Sequence, residues 1–413
     1  MMEQVEFRSR ENQRYDPMKN FIFENPTKII FGQGQIKCIG PEVKRFGSKV
    51  LLVYGKGSIK KNGVYSQVTA SLNKAGITYV EMGGIRSNPV LSHVRHGIEL
   101  ARLENVDAVL AVGGGSVIDS AKAIAAGVKA DHDVWEFFTF SKLISEALPI
   151  LCVVTVSASA SEMNAAAVIT NEDGACKYSI ISPFIQPRTS ILDPTVLFTL
   201  NPSYSAYSAV DTITHMLEGY FNNTAPFSPL QDRLVEGLMK TVMESTDIII
   251  KAPDDYVARA NMMWSATLAF NGLTTAGMGQ ISMPAHMIEH SLSALYDIAH
   301  GAGLSIVLPG WMMYTSKKNP KRFAHFARQM FGVPDEDEQR ASQEGIARLK
   351  QWFSYIGSPV SLQEGAIPEA DIDRIAENAC PLARLWGLQD YSKDVIAEIL
   401  KLCCIDAHQY PII

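Results

Sequence analysis

The sequence predicts an α/β fold class followed by an all-α one: a Rossmann-like parallel-sheet domain over residues 21–196, then an all-helical domain over 197–413, with residues 1–20 as a tail. Three observations predict this. Short β-branched runs alternate with helical patterns as far as residue 196, the rhythm of a helix-covered parallel sheet. After Leu192-Asp193-Pro194 the strand signal fades and a 3.6-residue period takes over, broken at Pro226, Pro229, Pro253, Pro284, Pro309, Pro320, Pro334 and Pro368. A chain of 413 residues also exceeds what one hydrophobic core usually holds.

Composition narrows the function classes. A net charge of -6 with no Lys/Arg-rich run gives no footprint for nucleic acid. The longest apolar run, Ala147 to Val156, contains Pro149 and at about ten residues is too short to cross a bilayer, so no membrane partner is expected. The stretch Met1 to Pro17 has no apolar segment and reads as neither signal peptide nor anchor. Six cysteines without CxxC spacing point to reduced thiols and a cytoplasmic setting.

The strands are expected at Lys28–Phe31, Lys49–Tyr54, Ile77–Val80, Ala108–Val112, Pro149–Val156 and Ser190–Leu192. The second runs into Gly55-Lys-Gly57-Ser58-Ile-Lys-Lys61, a turn able to receive the adenosine end of a dinucleotide. An acid near that strand's end would select NAD through the ribose 2′-hydroxyl, but the first acid after Tyr54 is Glu81. Lys56, Lys60 and Lys61 would instead tolerate or attract a 2′-phosphate, which favours NADP; three solvated surface lysines are the alternative.

The fourth strand leads into Gly113-Gly114-Gly115-Ser116 and a new helix. Glycines let the backbone approach an anion, and a helix start offers free N–H groups, so a pyrophosphate fits. A tight strand-to-helix turn is the alternative reading, and the spacing is not GxGxxG. Ser116 and Asp119 also read as a capping box.

In the second half, His286 and His290 stand four apart, on one helical face. An unbroken helix would put His300 ~21 Å further along from His286. The segment Tyr296 to Ala299 must therefore turn the chain back if the two are to meet. Asp211 and His215 form a second pair of the same spacing within an apolar helix, where a bare carboxylate is costly unless paired or ligating. One carboxylate and up to four imidazoles suit Zn²⁺ or Fe²⁺. Ordinary core histidines and a satisfied helix acid are the competing account. His93, His96, His132, His325 and His408 read as surface or packing residues.

These pieces together, with Phe31-Gly-Gln-Gly34, Asn88-Pro89, Lys122, Thr155 through Glu162 and Leu192-Asp-Pro194, resemble the iron-containing alcohol dehydrogenase family, in its butanol-dehydrogenase-like branch of NADPH-dependent aldehyde reductases. The resemblance implies that Asp211, His215, His286 and His300 ligate one divalent metal, Fe²⁺ or Zn²⁺, with His290 beside it as a proton-relay residue. It implies cofactor contacts from Gly55, Gly57, Ser58, Asn88, Gly114, Gly115, Ser116, Thr155, Ser159 and Lys177, with NADP(H) preferred over NAD(H). It implies a homodimer. Where that branch usually has glycine this chain has Ala160, which bears on the cofactor loop. The expected function is metal-dependent hydride transfer between nicotinamide C4 and a small primary alcohol or aldehyde, suited by the apolar Met278, Met283, Met287 and Leu292 around the histidines. The rivals are a cyclising enzyme resembling dehydroquinate synthase, which would need more basic residues near the metal, and a non-catalytic nucleotide- and metal-binding protein.

Overall fold

The computed structural model describes residues 18–224 and 228–405; the first seventeen residues of the tail, Pro226 and His408 lie outside the described residues. Among the described residues the first half holds eight strands: β1 (Lys28–Phe31), β2 (Lys49–Gly55), β3 (Thr78–Ile85), β4 (Ala108–Gly113), β5 (Ile150–Val154), β6 (Ala166–Asn171), β7 (Cys176–Ile181) and β8 (Thr189–Leu192). Six form one sheet in the order β1-β8-β5-β4-β2-β3, parallel throughout. Every residue of β4 and β5 is buried, as their unbroken apolar sequences require of strands covered on both faces. The covering helices are α1 (Ile39–Lys44), α2 (Ser58–Lys61), α3 (Val64–Lys74), α4 (Leu91–Leu103), α5 (Gly115–Lys129) and α6 (Trp135–Phe138).

The second half is helical: α7 (Pro202–Phe221), α8 (Pro229–Ile249), α9 (Tyr256–Ala269), α10 (Pro284–Tyr296), α11 (His300–Ser316), α12 (Pro320–Phe331), α13 (Glu338–Tyr355), α14 (Ile372–Leu385) and α15 (Lys393–Leu402). It has its own core, with Ile213, Leu304 and Trp311 fully buried. None of these helices is long and apolar enough to cross a membrane, and all six cysteines are free.

Three expectations need correction. Pro309 does not end a helix but lies inside α11, where a run buried from Gly301 to Met312 outweighs the ~3 kcal/mol a helical proline costs. Ser116 and Asp119 form no capping box. The helix starts two residues earlier, on Gly114 as N-cap without a side-chain cap; the Ser116 hydroxyl donates to the Ser87 carbonyl, and Asp119 accepts from Ser161 Oγ at 2.6 Å and Val168 N at 3.0 Å. The antiparallel hairpin β6–β7 was not expected, although Asn171-Glu-Asp-Gly174 between two β-branched runs is a turn signal.

Candidate active site

On α7 the residues Asp211, His215 and Glu218 fall at offsets of zero, four and seven, one stripe of the helix, and all are buried. Asp297, at φ 52°, caps the end of α10; Ala299 is extended, and α11 begins at His300. The chain thus turns back as the distance argument requires, and the His286 and His300 rings lie 5.3 Å apart. Each presents Nε2 at 3.7 Å from Asp211 Oδ1. Asp211, His286 and His300 each offer a ligand atom within 4.8 Å of the others. His215 stands beside them, its ring 4.4 Å from that of His286, while its Nδ1 lies 2.9 Å from the Asp211 carbonyl oxygen and 3.2 Å from Oδ1.

Asp211 Oδ1 and His286 Nε2 are buried without a hydrogen-bond partner. Leaving a buried polar atom unpaired costs ~1–3 kcal/mol, and two such atoms with a third ligand atom, His300 Nε2, within 4.8 Å of both fit a cation. The donor set, carboxylate and imidazole, fits Zn²⁺ or Fe²⁺. Burial alone would push the Asp211 carboxyl up, but the neighbouring imidazoles of His215, His286 and His300 hold it well below the usual range, a carboxylate ready to ligate.

Outside these ligand atoms are groups that the sequence reading did not single out. Glu218, fully buried, accepts from Ala285 N at 2.6 Å, from His286 N at 3.3 Å and from His286 Nδ1. Glu289, also fully buried, accepts from His300 Nδ1 and Ser293 Oγ and lies 3.4 Å from Lys177 Nζ. Burial raises the Glu289 carboxyl, and the His300 ring and the Lys177 ammonium against it overturn this and bring it down to about 2. A helical glutamate usually faces water, so only a spacing argument, seven from Asp211 or three from His286, could have found these two. Lys177 reaches this cluster from β7, with Nζ 3.2 Å from His300 Nδ1. His290 Nδ1 donates to the Lys177 carbonyl, 2.9 Å away, and the ring packs edge-on to Trp386. Burial, then the Lys177 charge, keeps its ring well below the usual histidine range, so it is neutral.

The sheet brings the other predicted residues to one edge. β5, β4 and β2 are neighbours, with Gly113 opposite Val154 and Tyr54 opposite Val112, so Thr155 and Gly114, which follow their strands, and Gly55, which ends its own, all lie at the carboxyl ends of adjacent strands. A Cβ at Gly114 would meet Val156 at 2.8 Å and one at Gly115 would meet Ser159 Oγ at 2.4 Å. The glycines let the 155–162 loop close over the uncapped start of α5, whose first N–H groups have no intrahelical acceptor. Gly57, at φ 110°, turns the chain into Ser58. Ala160 adopts φ 51°, the left-handed conformation that glycine would take at lower cost. The same loop touches the metal side through Thr212 Oγ1 and the Ala158 carbonyl, 3.3 Å apart.

Two residues differ from expectation. Lys60 is not a free cation: Glu81 takes it at 2.9 Å and also accepts from Tyr54 at 2.7 Å and Tyr65 at 2.5 Å, because parallel pairing of β2 with β3 brings this sequence-distant acid alongside. The Asn88 amide is already engaged, donating to Asp297 Oδ1 at 2.9 Å and the Ile298 carbonyl at 3.1 Å, so it braces the corner before His300. The remaining described histidines lie elsewhere: His93 beside His96, His132 against Phe137, and His325 beside Glu236.

Residues 26–194 match the family described as iron-containing alcohol dehydrogenase, and residues 205–403 match its C-terminal part. The probable NADH-dependent butanol dehydrogenase 1 of Bacillus subtilis is 40% identical over 93% of this chain and 99% of its own. The NADPH-dependent aldehyde reductase YqhD of Escherichia coli is 35% identical over 86% of this chain and 91% of its own. The crystal structure of NADH-dependent butanol dehydrogenase A from Thermotoga maritima, 48% identical, superposes with a TM-score of 0.91 over 95% of this chain and 100% of that one. Both halves of the chain thus match known proteins in sequence and in overall fold, and the chain belongs to the iron-containing alcohol dehydrogenase family, in its branch of butanol dehydrogenases and aldehyde reductases.

Proposed function

We propose that the protein reduces small aldehydes to primary alcohols, and runs the reverse reaction, in a cleft between a nucleotide-binding unit over residues 21–196 and a helical unit over 197–413. The observation that carries this reading is the pair of unpartnered buried atoms, Asp211 Oδ1 and His286 Nε2, beside His300 Nε2. Asp211, His215, His286 and His300 would hold one divalent ion, Fe²⁺ or Zn²⁺; the His215 ring, already packed against His286, needs only to present its Nε2. Gly114, Gly115, Ser116, Thr155 and Ser159 would hold the pyrophosphate side of a dinucleotide, and Gly55, Gly57 and Ser58 its adenosine side. When bound, the nicotinamide supplies or takes the hydride and the ion supplies Lewis acidity toward the substrate oxygen.

The chain's own residues do the rest. Met283, Met287 and Leu292 make α10 apolar around its histidines, which suits a short carbon chain. Lys177 places a cation at the junction of the two halves. His290 has its Nδ1–H donated to the Lys177 carbonyl, which leaves Nε2 free to accept a proton in transit and pass it on, while burial and the Lys177 charge keep it from retaining that proton.

Absence of an acid within the 55–61 turn favours NADPH, whereas the Glu81 hold on Lys60 leaves only Lys56 and Lys61 to attract a 2′-phosphate, and the most similar relatives named here are NADH-dependent. The preference is therefore expected to be small, with kcat/KM for NADPH and NADH within about tenfold of each other, or ~1.4 kcal/mol. The reading includes a homodimer in a cytoplasmic setting, tested by mass in solution. The deciding experiment is aldehyde reduction by the purified protein with each cofactor, before and after chelation and reloading with Fe²⁺ or Zn²⁺. Asp211→Ala and His300→Ala are expected to lose bound metal and at least ~10³-fold in activity with an unchanged circular dichroism spectrum; a metal-free His300→Ala enzyme that still turns over overturns the mechanism.

A further inference from the structure

Glu289 stands between the two catalytic halves without belonging to either set of contacts assigned above. It is fully buried on α10, between His286 and His290, and its carboxylate meets three donors: His300 Nδ1, Ser293 Oγ and, at 3.4 Å, Lys177 Nζ. The chain makes room for it. A Cβ at Gly303, one turn into α11, would meet Glu289 Oε1 at 2.6 Å, so only glycine there lets the carboxylate reach under His300. A buried carboxylate carries a large desolvation cost, and three donors from α10, α11 and β7 offset it.

The consequence for His300 follows from the two nitrogens of one ring. With Nδ1 donating to Glu289, Nε2 carries no proton and its lone pair points toward Asp211, 3.7 Å away. His300 needs this more than its neighbours do, because it sits at the first residue of α11 and its side chain is 27% exposed, against 5% for His286. The same carboxylate neutralises Lys177, which otherwise would set an uncompensated cation 3.2 Å from His300.

We propose that Glu289 is a positioning residue of the metal centre, which fixes the tautomer and orientation of His300 and at the same time seats Lys177 of the β6–β7 hairpin against it. The inference rests on the metal reading of Asp211, His215, His286 and His300. Glu289 lies behind the ring and is not a ligand on the Asp211 side.

The test measures metal affinity rather than turnover. Apoprotein is titrated with Co²⁺ against a chromophoric chelator, with the visible spectrum recorded. Glu289→Gln keeps the volume but has only one acceptor oxygen for three donors. Its Co²⁺ Kd is expected to rise 10–100-fold, as for other groups that orient ligating histidines, with an altered ligand-field spectrum. Lys177→Met and the double variant Glu289→Gln/Lys177→Met address folding, since removing both charges leaves no lone buried ion. Relative to Lys177→Met, the double variant is expected to show the same 10–100-fold loss. Ser293→Ala, which removes the neutral donor alone, is expected to stay within about threefold of wild type. A folded Glu289→Gln or double variant that binds Co²⁺ as tightly as its parent, whatever its Tm, overturns the proposal while leaving the metal site standing. Failure of wild type to bind Co²⁺ overturns both.

Discussion

At Glu81 one carboxylate collects Tyr54, Tyr65 and Lys60, and those two tyrosine hydroxyls, with Lys60, hold it down at about 2. This residue decides how much positive charge the adenosine turn presents. Glu81→Gln releases Lys60 toward the turn and is expected to raise the NADPH-to-NADH ratio of kcat/KM about threefold, or ~0.6 kcal/mol, the scale of a partly exposed ion pair; steady-state kinetics with both cofactors measure it, and an unchanged ratio removes Lys60 from the selection of cofactor. The residue scale also shows what a linear sequence hides. The four-residue spacings of Asp211 with His215 and of His286 with His290 were legible, because helix periodicity converts spacing directly into a shared face. The partners of Lys60 and Asn88 were not, since they are set by sheet pairing and by the packing of α10 against the first half.

Among the elements, the central strands β2, β4 and β5 were legible because buried parallel strands read as continuous apolar runs, whereas β6 and β7 mix buried with part-exposed residues. Their anchor is Lys122, fully buried on α5, with Nζ donating to the Asn164 carbonyl at 2.9 Å, Asn164 Oδ1 at 3.0 Å and the Ala166 carbonyl at 2.7 Å. Burial brings this ammonium down from its ordinary 10.5 to about 8, despite Asp119 nearby. A lowered lysine value means the unfolded chain binds more protons between pH 8 and 10.5, so the burden of the buried cation is present below pH 8 and is relieved as pH rises through that window. The stability of wild type relative to Lys122→Met, from urea unfolding, is therefore expected to move in favour of wild type by up to ~3 kcal/mol between pH 7.5 and 10. A difference that stays flat would show an ammonium with an ordinary proton affinity.

For the molecule as a whole, the proposed ligand residues come from three helices, α7, α10 and α11, so a bound ion would add to the apolar core and the Glu218 and Glu289 hydrogen bonds that already join these elements. Binding to the folded state alone stabilises it by ~2.7 kcal/mol at a hundredfold excess over Kd. Thermal unfolding of the metal-loaded protein is expected several degrees above that of the chelated protein, and Asp211→Ala should show no such difference; equal midpoints in wild type would mean the ion does not bridge the helices.

The strand order carries a further consequence, one of timing. β1 lies at the edge of the sheet and pairs only with β8, with Lys28 opposite Thr189, roughly 160 residues later in the chain. At a synthesis rate of ~5–20 residues per second, the first strand waits some 10–30 s after leaving the ribosome before its partner exists. During that interval Ile29 and Ile30 have no sheet to join, while β2, β3 and β4 can already pair with one another. The oldest strand of the nascent chain is thus among the last to be placed, added at the edge of a sheet whose other strands have already been made.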